Sequence, residues 1–286
     1  MPAPPYELKL PDRRTTSVIF ASPHSGRYYP PAFLRASVLD ERTIRTSEDA
    51  FVDQLLDSVP ALGAPLLLAQ APRAYIDLNR AQDELDPALV EGVRPVAHNP
   101  RIASGLGVIP RVVSGGRAIY QGKLSRAEAE RRIEHWWRPY HDRLHALMED
   151  TRDAFGRALL VDMHSMPREA IDSISQTGAR RPDVVIGDRF GAAASGEIVD
   201  RIEAAFADAG FRVLRNAPFA GAYIAQTYGR PGRNQHAVQV EMDRSLYMNE
   251  QEIRPNGNFE GFRRKLSAVL ACIADIGRDE LRLAAE

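Results

Sequence analysis

Apolar positions along this chain fall into two kinds of pattern, short unbroken runs and helical stripes, and the two alternate. The runs Val18-Ile19-Phe20-Ala21, Leu66-Leu67-Leu68-Ala69 and Leu159-Leu160-Val161 are short and lack polar alternation. Such runs read as strands covered on both faces, the habit of a parallel sheet. Strands are predicted over about 17–22, 65–69, 74–78, from 158 into His164, and over 182–187, 211–215 and 237–244. The last one alternates, with Val238, Val240 and Met242 on one face and Gln239, Glu241 and Asp243 on the other.

Between the strands lie helical spacings. Val52, Leu55, Leu56 and Val59 predict a helix capped by Ser47 and stopped by Pro60 and Gly63. Ser125 and Glu128 form a capping-box pattern at the head of a helix over about 125–155, with Ile133, Trp136, Trp137, Tyr140, Leu144, Leu147 and Met148 on its apolar side. Pro139 should loosen that helix near its middle. An amphipathic helix follows over 196–209 and a closing one over 258–282. Strands interleaved with helices predict an α/β three-layer fold. Residues 81–118 are rich in Pro, Gly, Asn and Arg, and a connection that long is usually an active-site loop or lid. With no repeat, linker or compositional break, residues 1–286 read as a single domain.

Composition narrows the function. The 286 residues carry a formal net charge of −1, with both signs spread along the chain, so there is no electrostatic footprint for nucleic acid or an anionic membrane. No apolar run nears the roughly 20 residues that cross a bilayer, and the N-terminus lacks a signal-peptide pattern, so a cytoplasmic protein acting on a small molecule is expected. Nothing in the pattern sets an oligomeric state. The single cysteine, Cys272, lies in the apolar stretch 268–273 and reads as a buried structural thiol.

Two of the predicted strands run directly into histidines, His24 and His164. Ligands of parallel sheets collect beyond the carboxyl ends of strands, and imidazole is a common zinc ligand, so the pair is half of a catalytic zinc site. Asp49 and Asp53, four residues apart at the expected helix start, offer a third ligand and an orienting carboxylate. The helix dipole alone also favours acids there, and Glu48 is an adjacent competitor. Glu241 is either part of a solvated strand face or the general base of a metal cleft. Arg80, Arg230 and Arg233 lie in turns or at strand ends, where a guanidinium can grip a substrate carboxylate. His98, His135, His145 and His236 have no comparable setting, and His141, just after Pro139, reads as a surface or packing residue.

These residues sit within a series of short motifs: Pro23-His24-Ser25-Gly26, Asp49 to Asp53, Asp77-Leu78-Asn79-Arg80, Pro139-Tyr140-His141, Val161 to Ser165, Gly221-Ala222-Tyr223-Ile224 with Tyr228-Gly229, and His236 to Tyr247. In this order, over about residues 17–250, the chain resembles the N-formylglutamate amidohydrolase (deformylase) family. The resemblance implies a mixed, largely parallel central sheet akin to zinc carboxypeptidases and aspartoacylase. It also implies one zinc ion and hydrolysis of N-formyl-L-glutamate to formate and L-glutamate in histidine degradation. Carried over by residue, His24, His164 and Asp49 would be the zinc ligands and Glu241 the general base. Asn79 and Arg80 would meet the substrate carboxylate and the oxyanion, with Tyr223, Arg230 and Arg233 on the substrate side. The carboxypeptidase-type His-x-x-Glu ligand pair is absent, because Arg27 stands three residues after His24, which leaves Asp49 and Glu48 both open as the carboxylate. Rival readings are an amidohydrolase or carboxypeptidase-like enzyme for another N-acyl or N-formimino amino acid, and a non-catalytic metal- or carboxylate-binding protein. A two-metal phosphoesterase would need more clustered ligands than the chain offers.

Overall fold

The computed structural model describes residues 3–94, 99–172 and 181–283. The three unbroken apolar runs become β2, β3 and β6 among the strands of the described residues: β1 (Tyr6–Lys9), β2 (Val18–Ser22), β3 (Leu66–Ala69), β4 (Val112–Val113), β5 (Arg117–Ala118), β6 (Ala158–Met166), β7 (Val184–Gly187), β8 (Val213–Arg215), β9 (Gln235–Asp243), β10 (Met248–Asn249) and β11 (Arg254–Pro255). Seven of them form one sheet in the order β1-β3-β2-β6-β9-β7-β8. β2, β6 and β9 run parallel, β7 and β8 run parallel to each other, and β7 is antiparallel to β9. The sheet is therefore mixed and largely parallel, with helices packed on it in an α/β three-layer arrangement.

Residue contacts divide the chain into two compact units. One consists of Met1–Glu7, Pro23–Ala50 and Leu68–Arg143, the other of Leu8–Ser22, Phe51–Leu67 and Leu144–Glu286. In the second unit every residue of β2, β6 and β9 is buried, which β2 and the first half of β6 meet with apolar side chains. The helix Gly196–Asp208 buries Ile198, Val199, Ile202 and Phe206 on one stripe and contacts β7 and β8. The helix Phe259–Leu283 lies against it and against β2, burying Leu266, Val269, Leu270 and Ile273. Each such side chain contributes about 1.5–3 kcal/mol when fully buried. Gly277 permits this approach, since a Cβ there would sit 2.1 Å from Thr16 Oγ1. Cys272 is exposed, against the expectation of a buried thiol. The run 268–273 is apolar on all sides and hides the helical period, which turns Leu270 and Ile273 inward and Cys272 outward.

In the first unit, Ser125 caps the long helix by accepting from the Glu128 amide. The reciprocal half of the capping box is replaced, because the Glu128 carboxylate pairs with Arg131 and Arg132. The helix runs Arg126–Arg132, widens to a π-turn over Ile133–Trp137, and resumes as Arg138–Phe155. Pro139 has no N–H to return to the preceding turn, which accounts for a loosening at this point. The expected strand at 74–78 is a turn instead. The amides of Tyr75 and Ile76 both bond the Pro72 carbonyl, and Asp77 N–H goes to the Val108 carbonyl. Much of 81–118 is held down, with Leu89, Val90, Val108, Ile109 and Val113 buried and a β4–β5 hairpin near its end. His98 lies outside the described residues. Among the described residues no helix is long and apolar enough to cross a membrane.

Candidate metal centre and active site

β2 ends at Ser22, and the chain turns through Pro23 to present His24, which is 2% exposed. Gly26 is demanded by the turn, since a Cβ there would lie 2.2 Å from the Ala71 carbonyl oxygen. The Asp49 amide donates to the His24 carbonyl at 3.0 Å, which brings the two residues together through the main chain. Ser47 does not cap a helix. It lies in a 3₁₀ turn, Arg45–Ser47, and its hydroxyl accepts from the Ser114 amide. The helix begins only at Val52, after Phe51 adopts a left-handed φ of 68°, so Asp49 precedes it and shares no helix face with Asp53.

The His24 ring is held from both sides. Its Nε2 lies 2.7 Å from Asp77 Oδ1, and its Nδ1 faces Asp49 Oδ2 at 3.7 Å. Burial disfavours a charged Asp77, but Arg73, His24 and Arg80 together outweigh it and hold this carboxyl well below the usual carboxylate range. Glu48, the competitor for the ligand position, is taken up elsewhere: Arg45 donates to both its oxygens, at 2.9 and 3.0 Å, and Tyr29 donates at 3.0 Å.

β6 and β9 build the other half. His164 Nε2 lies 2.9 Å from Asp162 Oδ2, two residues back on the same face of β6. The parallel register pairs His164 with Glu241 and Asp162 with Gln239, so all four side chains share one side of the sheet. Gln239 Nε2 donates to Glu241 Oε1 at 2.9 Å, and Gln239 Oε1 accepts from the Ala222 amide. The polar side of β9 is thus buried rather than solvated, with Glu241 8% exposed.

His24, Asp49 and His164 are all buried, and each offers one ligand atom, all within 4.8 Å of one another. Two imidazole nitrogens and a carboxylate oxygen form a donor set suited to a metal ion, with further positions left for water or substrate. Each imidazole gives its Nε2 to a carboxylate, the arrangement that fixes ring orientation at metal sites.

Asn79 and Arg80 are 3% and 6% exposed. Arg80 donates through Nε to the Leu106 carbonyl and through Nη1 to that of Asn79, and its burial lowers its pKa. Tyr223 is half-buried and follows Ala222, whose amide meets Gln239. Arg230 and Arg233 are not brought to Glu241. They are exposed in the turn that opens β9, and six residues of strand, roughly 20 Å, separate Gln235 from Glu241. A turn arginine is equally plausible by composition at either end of a strand, and here the end is the amino one.

Asp77, Asp162 and Gln239 had no assigned role in the sequence. Asp162 and Gln239 were findable, because each stands two residues before a candidate on the same strand. Asp77 reaches His24 across 53 positions, and no local pattern signals that.

His141 is 5% exposed, with Nε2 2.9 Å from the Leu78 carbonyl, and burial lowers its pKa to about 4. A folded-state value below the ordinary 6.5 or so means that the unfolded chain binds this proton more readily. The associated stability is complete above about pH 6.5 and is lost as pH falls through about 4, to a total of about 3 kcal/mol. Urea unfolding at pH 7 and pH 4.5 should show this loss, and His141→Gln should flatten the slope. An equal slope in the variant would assign the acid sensitivity to other groups.

The family model for N-formylglutamate amidohydrolase matches residues 16–248. Over 238 residues the chain is 31% identical to the N-formylglutamate deformylase of Pseudomonas putida, covering 82% of this chain and 83% of that protein. It is 30% identical over 242 residues to the N-formylglutamate deformylase of Pseudomonas aeruginosa, covering 84% and 85%. The crystal structure of N-formylglutamate amidohydrolase from Ralstonia eutropha JMP134 superposes with a TM-score of 0.91 at 35% identity, covering 97% of this chain and 100% of that one.

Proposed function

This chain belongs to the N-formylglutamate amidohydrolase family, and we propose on that footing that it cleaves N-formyl-L-glutamate with water to formate and L-glutamate. The observation that carries the reading is the buried group His24, Asp49 and His164, with Glu241 in register with His164 on the next strand. Zinc is the ion we assign, held by those three residues, because mixed imidazole and carboxylate ligands with open positions suit its catalytic sites. When bound, such an ion polarises the formyl oxygen and acidifies water at the site.

The protein's own groups carry the remaining work. Glu241 takes the proton that the attacking water gives up and returns it to the amide nitrogen as the C–N bond breaks, so glutamate leaves as an amine. Arg80 donates to the oxygen on which negative charge develops, and Asn79 and Tyr223 orient the substrate's carboxylates. Asp77 and Asp162 keep the two imidazoles aimed. On this reading the enzyme serves histidine degradation in the cytoplasm.

The test is zinc quantification on purified protein beside formate release from N-formyl-L-glutamate, with N-acetyl- and N-formimino-glutamate in parallel. About one zinc per chain and preferential release of formate are expected. Faster turnover of another acyl group would move the substrate, and a zinc-loaded protein inert to all three would favour a binding role.

A further inference from the structure

The turn from Tyr75 to Arg80 carries Asp77, Asn79 and Arg80, yet it lies outside any sheet, so its carbonyls need other partners. Three come from one helix. Arg132 Nη1 donates to the Tyr75 carbonyl at 3.1 Å, His141 Nε2 lies 2.9 Å from the Leu78 carbonyl, and Trp137 Nε1 donates to the Arg80 carbonyl at 2.8 Å. With its pKa lowered to about 4, His141 is neutral at pH 7, and its bonded nitrogen carries the proton. Arg132 is further fixed by Tyr120 and Glu128 and stacks its guanidinium 4.0 Å from the Tyr75 ring centre.

These donors share a side only because of the π-turn. Along a regular α-helix, residues five apart lie about 140° round the axis, so Arg132 and Trp137 would face different ways. Here the Arg138 amide bonds the Ile133 carbonyl, five residues back. The wider turn absorbs one residue and brings Trp137 round beneath Arg132, while His141 follows one ordinary turn later.

Resting on the function proposed above, we infer that Trp137 is a positioning residue, which through the Arg80 carbonyl sets where the Arg80 guanidinium meets the substrate, with the π-turn as the device that aims it. The indole touches no reacting atom in this scheme. Its effect must therefore pass through Arg80.

A double-mutant cycle reads that dependence. Trp137→Phe keeps the ring's bulk and deletes the donor. It should lower kcat/KM for formate release by about tenfold in the wild-type background and by less than about twofold in Arg80→Ala, with zinc content unchanged. Hydrogen exchange at the amides of Asp77 and Asn79 should speed up by about tenfold in Trp137→Phe, a readout independent of turnover. A wild-type-like Trp137→Phe, or an equal loss in both backgrounds, would overturn the inference. So would a Trp137→Phe protein that fails to fold or to hold zinc, since the indole would then be a requirement of the fold. If the wild type releases no formate, the functional reading fails instead, and hydrogen exchange still decides whether the indole holds the turn.

Discussion

Replacing Glu241 with glutamine is expected to cut kcat for formate release by about 10²–10⁴-fold while leaving zinc content at the wild-type level. The substitution keeps the shape of the side chain and removes only its capacity to accept and return a proton. Gln239 already donates to Glu241 Oε1, and the amide oxygen of the variant can accept the same bond, so β9 should keep its place. Because Glu241 is not among the three residues whose ligand atoms cluster, metal retention separates loss of the base from loss of the site. Steady-state kinetics with metal analysis on the same preparation is the measurement. An unaltered kcat would remove Glu241 from the mechanism.

The second large effect is expected for His164→Ala, which should weaken zinc binding by more than about 100-fold, the loss usual for supporting residues being 10–100-fold. Turnover should fall with it. A stability cost accompanies the loss, because Asp162 is fully buried and bonds His164 through Oδ2. Leaving a buried hydrogen-bonding group without its partner typically costs about 1–3 kcal/mol. Competition with a chelator gives the affinity, and urea unfolding of the metal-free proteins gives the stability difference. Wild-type zinc content in His164→Ala would refute the ligand assignment.

How much of this was legible beforehand follows from the range of the interactions. β2 and the first half of β6 were readable because strand segments buried on both faces are apolar, β9 because its apolar residues alternate, and the two histidines stand where the apolar runs of β2 and β6 give out. The polar face of β9 was readable as a face, but whether it met water or a site depended on β6 lying beside it. The setting of Asp49 was not readable. A main-chain bond to His24 and a left-handed Phe51 place it ahead of the helix, and neither leaves a mark in side-chain periodicity. The same holds for the turn 75–80, whose β-branched and aromatic residues suggest a strand while its hydrogen bonds go to a distant helix. Arg230 and Arg233 failed for a different reason, since charge in a turn says nothing about which end of the strand the turn occupies.

The pairing of β6 with β9 has a consequence for how such a protein can change. His164 and Glu241 are adjacent because the backbones of two fully buried strands are zipped together, and a slip by one residue would turn both polar faces into the apolar layer. Loops beyond the strand ends are under no such constraint. On the function proposed above, new acyl groups or amino acids can therefore be explored by varying those loops, while the paired polar faces of β6 and β9 pass unchanged from one descendant to the next.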